Sequence, residues 1–226
     1  MDEQLRTEFN EWARAGKGES MERGHRPVGE QAIARMNVPS GGRVLDIGCG
    51  SGWATRLLAD YASAGRVTGI DISDEMIQLA REQSKSYPNV DFEVASAEQL
   101  PFTDDEFTHA FSMESLYYYR DLPKALAEIQ RVMKTGGWFC AVVDMYWESA
   151  ATHQWVESLK VPVQLLKIEE YRSLFHDAGF VNLRDERVID PRPVPDDYTS
   201  GSFNSRADFV AYREAGSLMI TGEAAK

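Results

Sequence analysis

From Arg43 onward, short apolar runs alternate with amphipathic helical patterns. Arg43–Ile47 has the composition of a buried strand, and the following segment repeats apolar residues at helical spacing from Ala54 to Ala62. Consecutive strands that are linked by helices form βαβ units, in which the strands lie parallel in one sheet. The pattern therefore predicts an α/β fold with helices packed on a parallel sheet.

Further strands and helices are predicted along the rest of the chain. The later predicted strands are Val67–Ile70, Val90–Val94, Phe107–Met113, Trp138–Met145, Phe180–Ile189 and Ser217–Thr221. The predicted helices are Leu5–Ala15, one that starts near Pro27, 74–86, one from Leu122 that ends at Gly136-Gly137, and Tyr171–Ala178. A Pro-rich polar excursion covers 190–205, and a short helix separates it from the last strand.

The composition narrows the classes of partner. The chain has a net charge of −12 and no block of lysine or arginine, whereas proteins that bind nucleic acid normally present a basic surface. The N-terminal segment lacks the apolar core of a signal peptide, and no apolar run is long enough to cross a bilayer. A cytoplasmic protein is expected, with no nucleic-acid partner and no membrane partner. Cys49 and Cys140 are predicted to be buried, reduced thiols, and no metal site is predicted because no Cys/His spacing suggests one.

The most informative segment joins a strand to a helix through three glycines, in Val44-Leu45-Asp46-Ile47-Gly48-Cys49-Gly50-Ser51-Gly52. Glycine permits positive φ and lets a ligand approach the backbone closely. A dinucleotide-binding fold requires G-x-G-x-x-G, but Trp53 occupies the third glycine position. Asp46 disfavours a pyrophosphate at this turn and favours a ligand with a cationic amino-acid end. The spacing therefore favours S-adenosylmethionine (SAM) over NAD.

Asp71 ends the second predicted strand, next to the glycine segment in a parallel sheet. A carboxylate at that edge can accept hydrogen bonds from both hydroxyls of a ribose. The alternative is that Asp71 only opens the next helix. Ser73 fills that N-cap position better, with Met76 at N3, so Asp71 is predicted to bind the ligand.

Residues Arg43–Trp147 resemble, motif by motif, the class I SAM-dependent methyltransferases. The resemblance is to the branch that contains the ubiquinone and menaquinone C-methyltransferases (methyltransferase type 11). It implies a Rossmann-like, doubly wound sheet of seven strands, mostly parallel with an antiparallel last strand. It also implies SAM as the cofactor and S-adenosylhomocysteine as its product.

The resemblance also implies roles for individual residues. Gly48 and Gly50 would line the methionine end of SAM, Asp46 would help to orient its amino group, and Asp71 would hold the ribose. Ile72 and Met76 would pack on the adenine. The remaining cofactor contacts that it implies are the side chain or backbone of Ser96, Ala97 and Glu98 at the adenine, and the main-chain carbonyl of Ser112 at the amino group. Ser96 stands where many relatives carry Asp, and a solvated surface position is the alternative for Glu98.

We expect one methyltransferase domain over residues 1–226. Residues 1–40 would form a helical cap or lid, 41–147 the SAM-binding core, and 148–226 the rest of the sheet, with a substrate-side insertion at 190–205. The first ~25 residues are expected to move as a lid over the cofactor, on a hinge that contains Gly16, Gly18 and Gly24.

The sequence indicates no firm catalytic residue. Methyl transfer from a sulfonium is a direct displacement that depends on alignment and on the exclusion of water. His25 is a candidate base, because an imidazole titrates close to neutral pH, and a surface hydrogen bond is the alternative. Tyr117 or Tyr118 is predicted to face the substrate, with aromatic packing as the alternative.

These features together predict a SAM-dependent methyltransferase that acts on a small molecule, as a monomer or a homodimer. The methylated atom is left open. Two alternatives are an RNA or protein methyltransferase, and a SAM-binding sensor that transfers no methyl group.

Overall fold

The computed structural model describes residues 2–198 and 201–225, so residues 199 and 200 of the predicted insertion lie outside the described part. The strands are β1 (Arg43–Ile47), β2 (Arg66–Asp71), β3 (Val90–Val94), β4 (Phe107–Met113), β5 (Met133–Val143), β6 (Phe180–Val188) and β7 (Ser217–Ala224). The helices are α1 (Asp2–Arg14), α2 (Lys17–Arg35), α3 (Trp53–Tyr61), α4 (Asp74–Gln83), α5 (Leu122–Val132), α6 (His153–Ser158), α7 (Ile168–Asp177) and α8 (Arg206–Ala215).

All seven strands form one sheet in the order β3-β2-β1-β4-β5-β7-β6. The strands β1 to β5 pair in parallel, and β7 runs antiparallel to both β5 and β6. The predicted Rossmann-like sheet with an antiparallel last strand is therefore confirmed. Because the strand order reverses direction at β1, the carboxyl ends of β1, β2 and β4 open onto one crevice, where ligands bind in such sheets.

Both faces of the sheet are covered. Leu45 and Ile47 of β1 pack in a core cluster with α5 and α7, whereas Val44 packs on the opposite face with α2 and α3. This alternation follows from the two-residue period of a strand. All three side chains are fully buried, and each contributes roughly 1.5–3 kcal/mol to folding. The burial holds the central strand, and hence the loop at its carboxyl end, in a fixed place.

Three predicted helix boundaries are wrong, and the smallest error is at α4, which ends at Gln83 rather than near residue 86. The helix α5 ends at Val132 rather than at Gly136-Gly137, because Met133 is already extended and pairs with Phe107 of β4. The helix α2 begins at Lys17 rather than near Pro27, which lies inside it. A proline inside a helix removes a hydrogen bond, but this helix is fixed by packing. Its buried Gly29 lies so close to Trp53 that an added Cβ would be 2.4 Å from the indole ring.

No helix in residues 2–198 and 201–225 combines the length and the apolar character that crossing a membrane requires.

Candidate active site

The loop after β1 turns sharply at its glycines. Gly48, Gly50 and Gly52 have φ of +72°, +51° and +79°, a region that side chains with a Cβ rarely adopt. The N–H of Gly48 donates to the Ile70 carbonyl of β2 at 2.8 Å, and α3 starts directly after Gly52. A Cβ at Gly48 would lie 2.5 Å from the Cβ of Ser115. The loop therefore needs glycine at position 48 for both its backbone angle and its space.

The carboxylate of Asp71 holds this loop against the next strand. Its Oδ2 accepts a hydrogen bond from the Gly50 N–H at 2.9 Å, and its Oδ1 accepts one from the Ser73 N–H at 2.9 Å. Ser73 caps α4 as predicted, because its Oγ accepts the N–H of Met76. Burial raises the pKa of Asp71, and the backbone N–H groups of Ser73, Gly50 and Ile72 oppose that shift. Each oxygen retains a lone pair, so the group can still accept hydrogen bonds from a ligand.

A cavity of about 1000 Å³, mouth included, lies over the glycine loop. Its wall combines the loop, the carboxyl end of β2, the segment after β3, the segment after β4, and side chains of α1 and α2. The strand ends and the two N-terminal helices therefore line one common cavity.

Acidic side chains and a histidine meet at one end of the cavity. Glu114 follows β4, Asp144 follows β5, and His25 comes from α2; their ligand atoms all lie within 4.8 Å of one another. Glu114 has a φ of +57°, a strained value for a residue with a side chain. Burial, and next the charge of Asp144, raise the pKa of Glu114 well above its usual value. Burial lowers the pKa of His25, against the effect of Asp144.

Comparisons with known proteins identify the family. A family described as a methyltransferase domain matches residues 45–141. The O-methyltransferase rstn1 of Aspergillus nomiae is 33% identical over 167 residues, 70% of this chain and 71% of that protein. Demethylmenaquinone methyltransferase of Staphylococcus aureus is 28% identical over 188 residues, 71% of this chain and 76% of that protein. The chain belongs to the methyltransferase family.

A solved structure is also similar over almost the whole chain. It is a complex between the Haloferax volcanii Trm112 methyltransferase activator and a methyltransferase. The matching chain is 35% identical with a TM-score of 0.90, and the match covers 97% of this chain and 98% of that one.

The cofactor of this methyltransferase is SAM, as the sequence predicts. Eight of the ten residues predicted to bind it line the cavity: Gly48, Gly50, Asp71, Ile72, Met76, Ser96, Ala97 and Glu98. They come from the carboxyl ends of three strands, β1, β2 and β3, and the segments that follow them, where the resemblance places them. Their contacts with SAM stay predictions.

The other two, Asp46 and Ser112, are absent from the cavity wall. Ser112 is fully buried, and its hydroxyl bonds that of Ser115 at 2.5 Å. Asp46 is only 2% exposed and lies beneath the glycine loop, where its Oδ2 accepts the Thr55 hydroxyl at 2.5 Å. Both side chains are therefore directed into the protein, and the contacts of Asp46 and of the Ser112 main-chain carbonyl with the SAM amino group stay predictions.

Burial raises the pKa of Asp46 to about 7; the Thr55 hydroxyl opposes this, and the nearby charge of Asp71 adds to it. The pKa of the unfolded carboxyl is about 3.9. Between about pH 4 and pH 7 the folded state therefore binds a proton that the unfolded state has released. This group stabilises the ligand-free fold most at low pH, and its contribution falls as the pH rises through about 7.

Asp46→Asn is expected to remove that pH dependence, because the amide stays neutral and still accepts the Thr55 hydroxyl. The melting temperature of the variant, relative to the parent protein, should rise between pH 5 and pH 8 by several degrees. Thermal unfolding of both proteins without ligand, at both pH values, measures the difference. If the melting temperatures of the two proteins differ by the same amount at pH 5 and at pH 8, Asp46 does not have a raised pKa in the folded protein.

The two helices of the predicted cap form part of the cavity wall, with five lining residues: Leu5, Phe9, Gly18, Met21 and His25. The Phe9 ring meets Tyr118 edge-on, with ring centroids 5.0 Å apart. The predicted hinge is wrong in part, because only Gly16 separates the two helices as a left-handed residue, whereas Gly18 and Gly24 lie inside α2. Gly18 is buried against Ser51, so packing fixes it. Motion of the cap stays a prediction.

Of the three candidate catalytic residues, two line the cavity and one does not. His25 and Tyr118 line the cavity, but Tyr117 is 5% exposed, does not line it, and donates its hydroxyl to Glu114 at 2.8 Å. Burial raises the pKa of both tyrosines, and this makes a phenolate base unfavourable. Sequence reasoning assigned no role to Glu114 and missed Asp144. The sequence did contain a signal for both residues. Glu114 directly follows the predicted strand that became β4, and Asp144 directly follows the last residue of β5.

Proposed function

We propose that this methyltransferase transfers the SAM methyl group to a small-molecule acceptor that binds between the cofactor and the group His25–Glu114. The observation that carries the proposal is the single cavity wall that joins the glycine loop and Asp71 to His25 and Glu114. Side chains of α1 and α2 that form part of the cavity wall support a small acceptor.

In the proposed complex, Gly48 and Gly50 line the methionine end and Asp71 accepts hydrogen bonds from the ribose. The adenine lies near Ile72, Met76 and the segment 96–98. This arrangement places the methyl group toward the segment after β4, which carries Glu114. The acceptor then approaches from the side of the cap.

The reaction is a direct displacement. A lone pair of the acceptor forms a bond to the methyl carbon, and the carbon–sulfur bond breaks with its electron pair on sulfur, which gives S-adenosylhomocysteine. A protonated acceptor must also lose a proton. Alignment in a closed site can supply about 7–11 kcal/mol of the barrier reduction.

The test is release of S-adenosylhomocysteine from SAM in the presence of a metabolite library. A signal that depends on one small acceptor is expected, and it should fall at least tenfold in Glu114→Gln while SAM binding persists. The matched control is Glu186→Gln. This variant removes the carboxylate of a β6 residue that forms an exposed ion pair with Arg35 of α2. SAM binding without turnover for any acceptor would favour the sensor alternative.

A second candidate is a macromolecular substrate, handled together with an activator protein. The observation that favours it is the similarity, at 35% identity, to a chain solved with the Trm112 activator. Size-exclusion chromatography of this chain mixed with purified Haloferax volcanii Trm112 tests the partner. A complex of equal stoichiometry that tightens SAM binding would support this candidate, and separate elution would count against it.

A further inference from the structure

The cluster His25–Glu114–Asp144 brings two carboxyl groups and an imidazole together. Asp144 is 2% exposed, and its backbone N–H donates to Glu114 Oε1 at 2.5 Å, so the two carboxyl groups lie side by side. Within residues 2–198 and 201–225, neither carboxylate forms an ion pair with a lysine or an arginine. Asp144 is buried and Glu114 is half-buried, so two charged carboxylates here without a cation are unfavourable, because burial penalises the charges and each repels the other.

We propose that His25, Glu114 and Asp144 bind one divalent transition-metal ion at the acceptor end of the cavity. The set offers one imidazole nitrogen and two carboxylate oxygens, a combination that suits Zn²⁺ or Mn²⁺, whereas Mg²⁺ and Ca²⁺ prefer oxygen alone. The inference rests on the proposed function for the position of the acceptor, but not for the existence of the site.

The ligand atoms lie close enough together for side-chain rotation to bring them onto one ion. Metal–ligand bonds of about 2.0–2.2 Å at tetrahedral angles place two ligands of the same ion about 3.3–3.6 Å apart. The three ligand atoms here lie within 4.8 Å of one another. Rotation of the side chains by at most about 1.5 Å would bring the widest pair to that separation. In the described residues the imidazole of His25 has no hydrogen-bond partner that holds it elsewhere.

Hydroxyl groups already orient the two carboxylates. Asp144 accepts the hydroxyl of Tyr212 from α8 at 2.6 Å and that of Ser217 from β7, and Glu114 accepts the hydroxyl of Tyr117. Each carboxylate oxygen has two lone pairs, so one donor on each leaves a lone pair for the ion. Supporting hydrogen bonds of this kind fix ligand orientation in metal sites.

The cavity gives such an ion open positions. His25 and Glu114 line the cavity and Asp144 does not, so three protein ligands would hold the ion from the protein side and leave positions open toward the cavity. The acceptor class that this favours is an oxygen nucleophile with a second oxygen beside it, which binds the ion through both atoms. The ion would lower the pKa of the acceptor hydroxyl, whose proton passes to solvent. In that case His25 is a ligand and no separate base is needed.

Calorimetric titration of the full chain, freed of metal with a chelator, tests the proposal with Zn²⁺, Mn²⁺ and Mg²⁺ as separate probes. We expect one Zn²⁺ or Mn²⁺ per chain and at least about tenfold weaker binding of Mg²⁺. Glu114→Gln, Asp144→Asn and His25→Gln should each weaken Zn²⁺ binding about tenfold or more. Glu186→Gln is the matched control and should bind as the parent does.

Circular dichroism shows whether each variant folds. His25 is partly exposed, so His25→Gln should fold and still tests Zn²⁺ binding if Asp144→Asn does not fold. No saturable Zn²⁺ or Mn²⁺ binding, or equal binding by the three variants, would overturn the metal site. SAM titration of the same samples separates the two proposals. Intact SAM binding without metal leaves the proposed function standing, and absent SAM binding removes it whatever the metal result.

Discussion

Replacing Asp71 with alanine is expected to weaken SAM binding about 10- to 1,000-fold. Hydrogen bonds to a charged group contribute roughly 1.5–3 kcal/mol each, and the variant would lose those that Asp71 is predicted to form with the ribose. It also loses the bond from the Gly50 N–H that holds the glycine loop to β2. The fold should persist, because Asp71 ends its strand and the core of β2 lies at Val67 and Ile70. Calorimetry with SAM measures the affinity, and thermal unfolding measures the stability.

Two further variants separate the contributions. Asp71→Asn keeps the size and one acceptor oxygen but removes the charge, so an intermediate loss of affinity is expected. Asp91→Ala removes a carboxylate that pairs with Arg66 on the surface of β3, and it should bind SAM as the parent protein does. A folded Asp71→Ala variant with unchanged affinity would show that another residue holds the ribose.

The second large effect is expected for Gly48→Ala. Its φ of +72° costs alanine about 1–2 kcal/mol, and the added Cβ would lie 2.5 Å from Ser115 Cβ, so the loop or the segment after β4 must move. Because both segments line the cavity, SAM affinity should fall about 100-fold or more, with a lower melting temperature.

Gly136→Ala is a matched control for backbone strain. Gly136 has a φ of +74° and no atom within 4 Å of an added Cβ, and it lies at the other end of the sheet from the cavity. It should lower the melting temperature by a few degrees and leave SAM binding unchanged. If both variants keep the parental affinity, position 48 does not require glycine for the cofactor site.

The local parts of the site were predictable from the sequence. The glycine spacing after β1, the acidic end of β2 and the Ser73 cap each depend on residues that are neighbours along the chain. Strand, turn and helix geometry follow from such neighbours, through φ preferences, capping and side-chain periodicity. For the same reason the seven strands were all found, and eight of the ten cofactor residues lie on one cavity wall.

Tertiary structure decided what depends on packing between distant segments. Asp46 has a ligand-binding spacing, yet its side chain is directed under the loop toward Thr55. The start of α2 and the end of α5 were set by docking and by strand pairing, which outweigh local propensity. The cluster of His25, Glu114 and Asp144 joins residues from the cap and from two strand ends. No spacing along the chain indicates such a cluster, because the parallel pairing of β4 and β5 and the docking of α2 bring its members together.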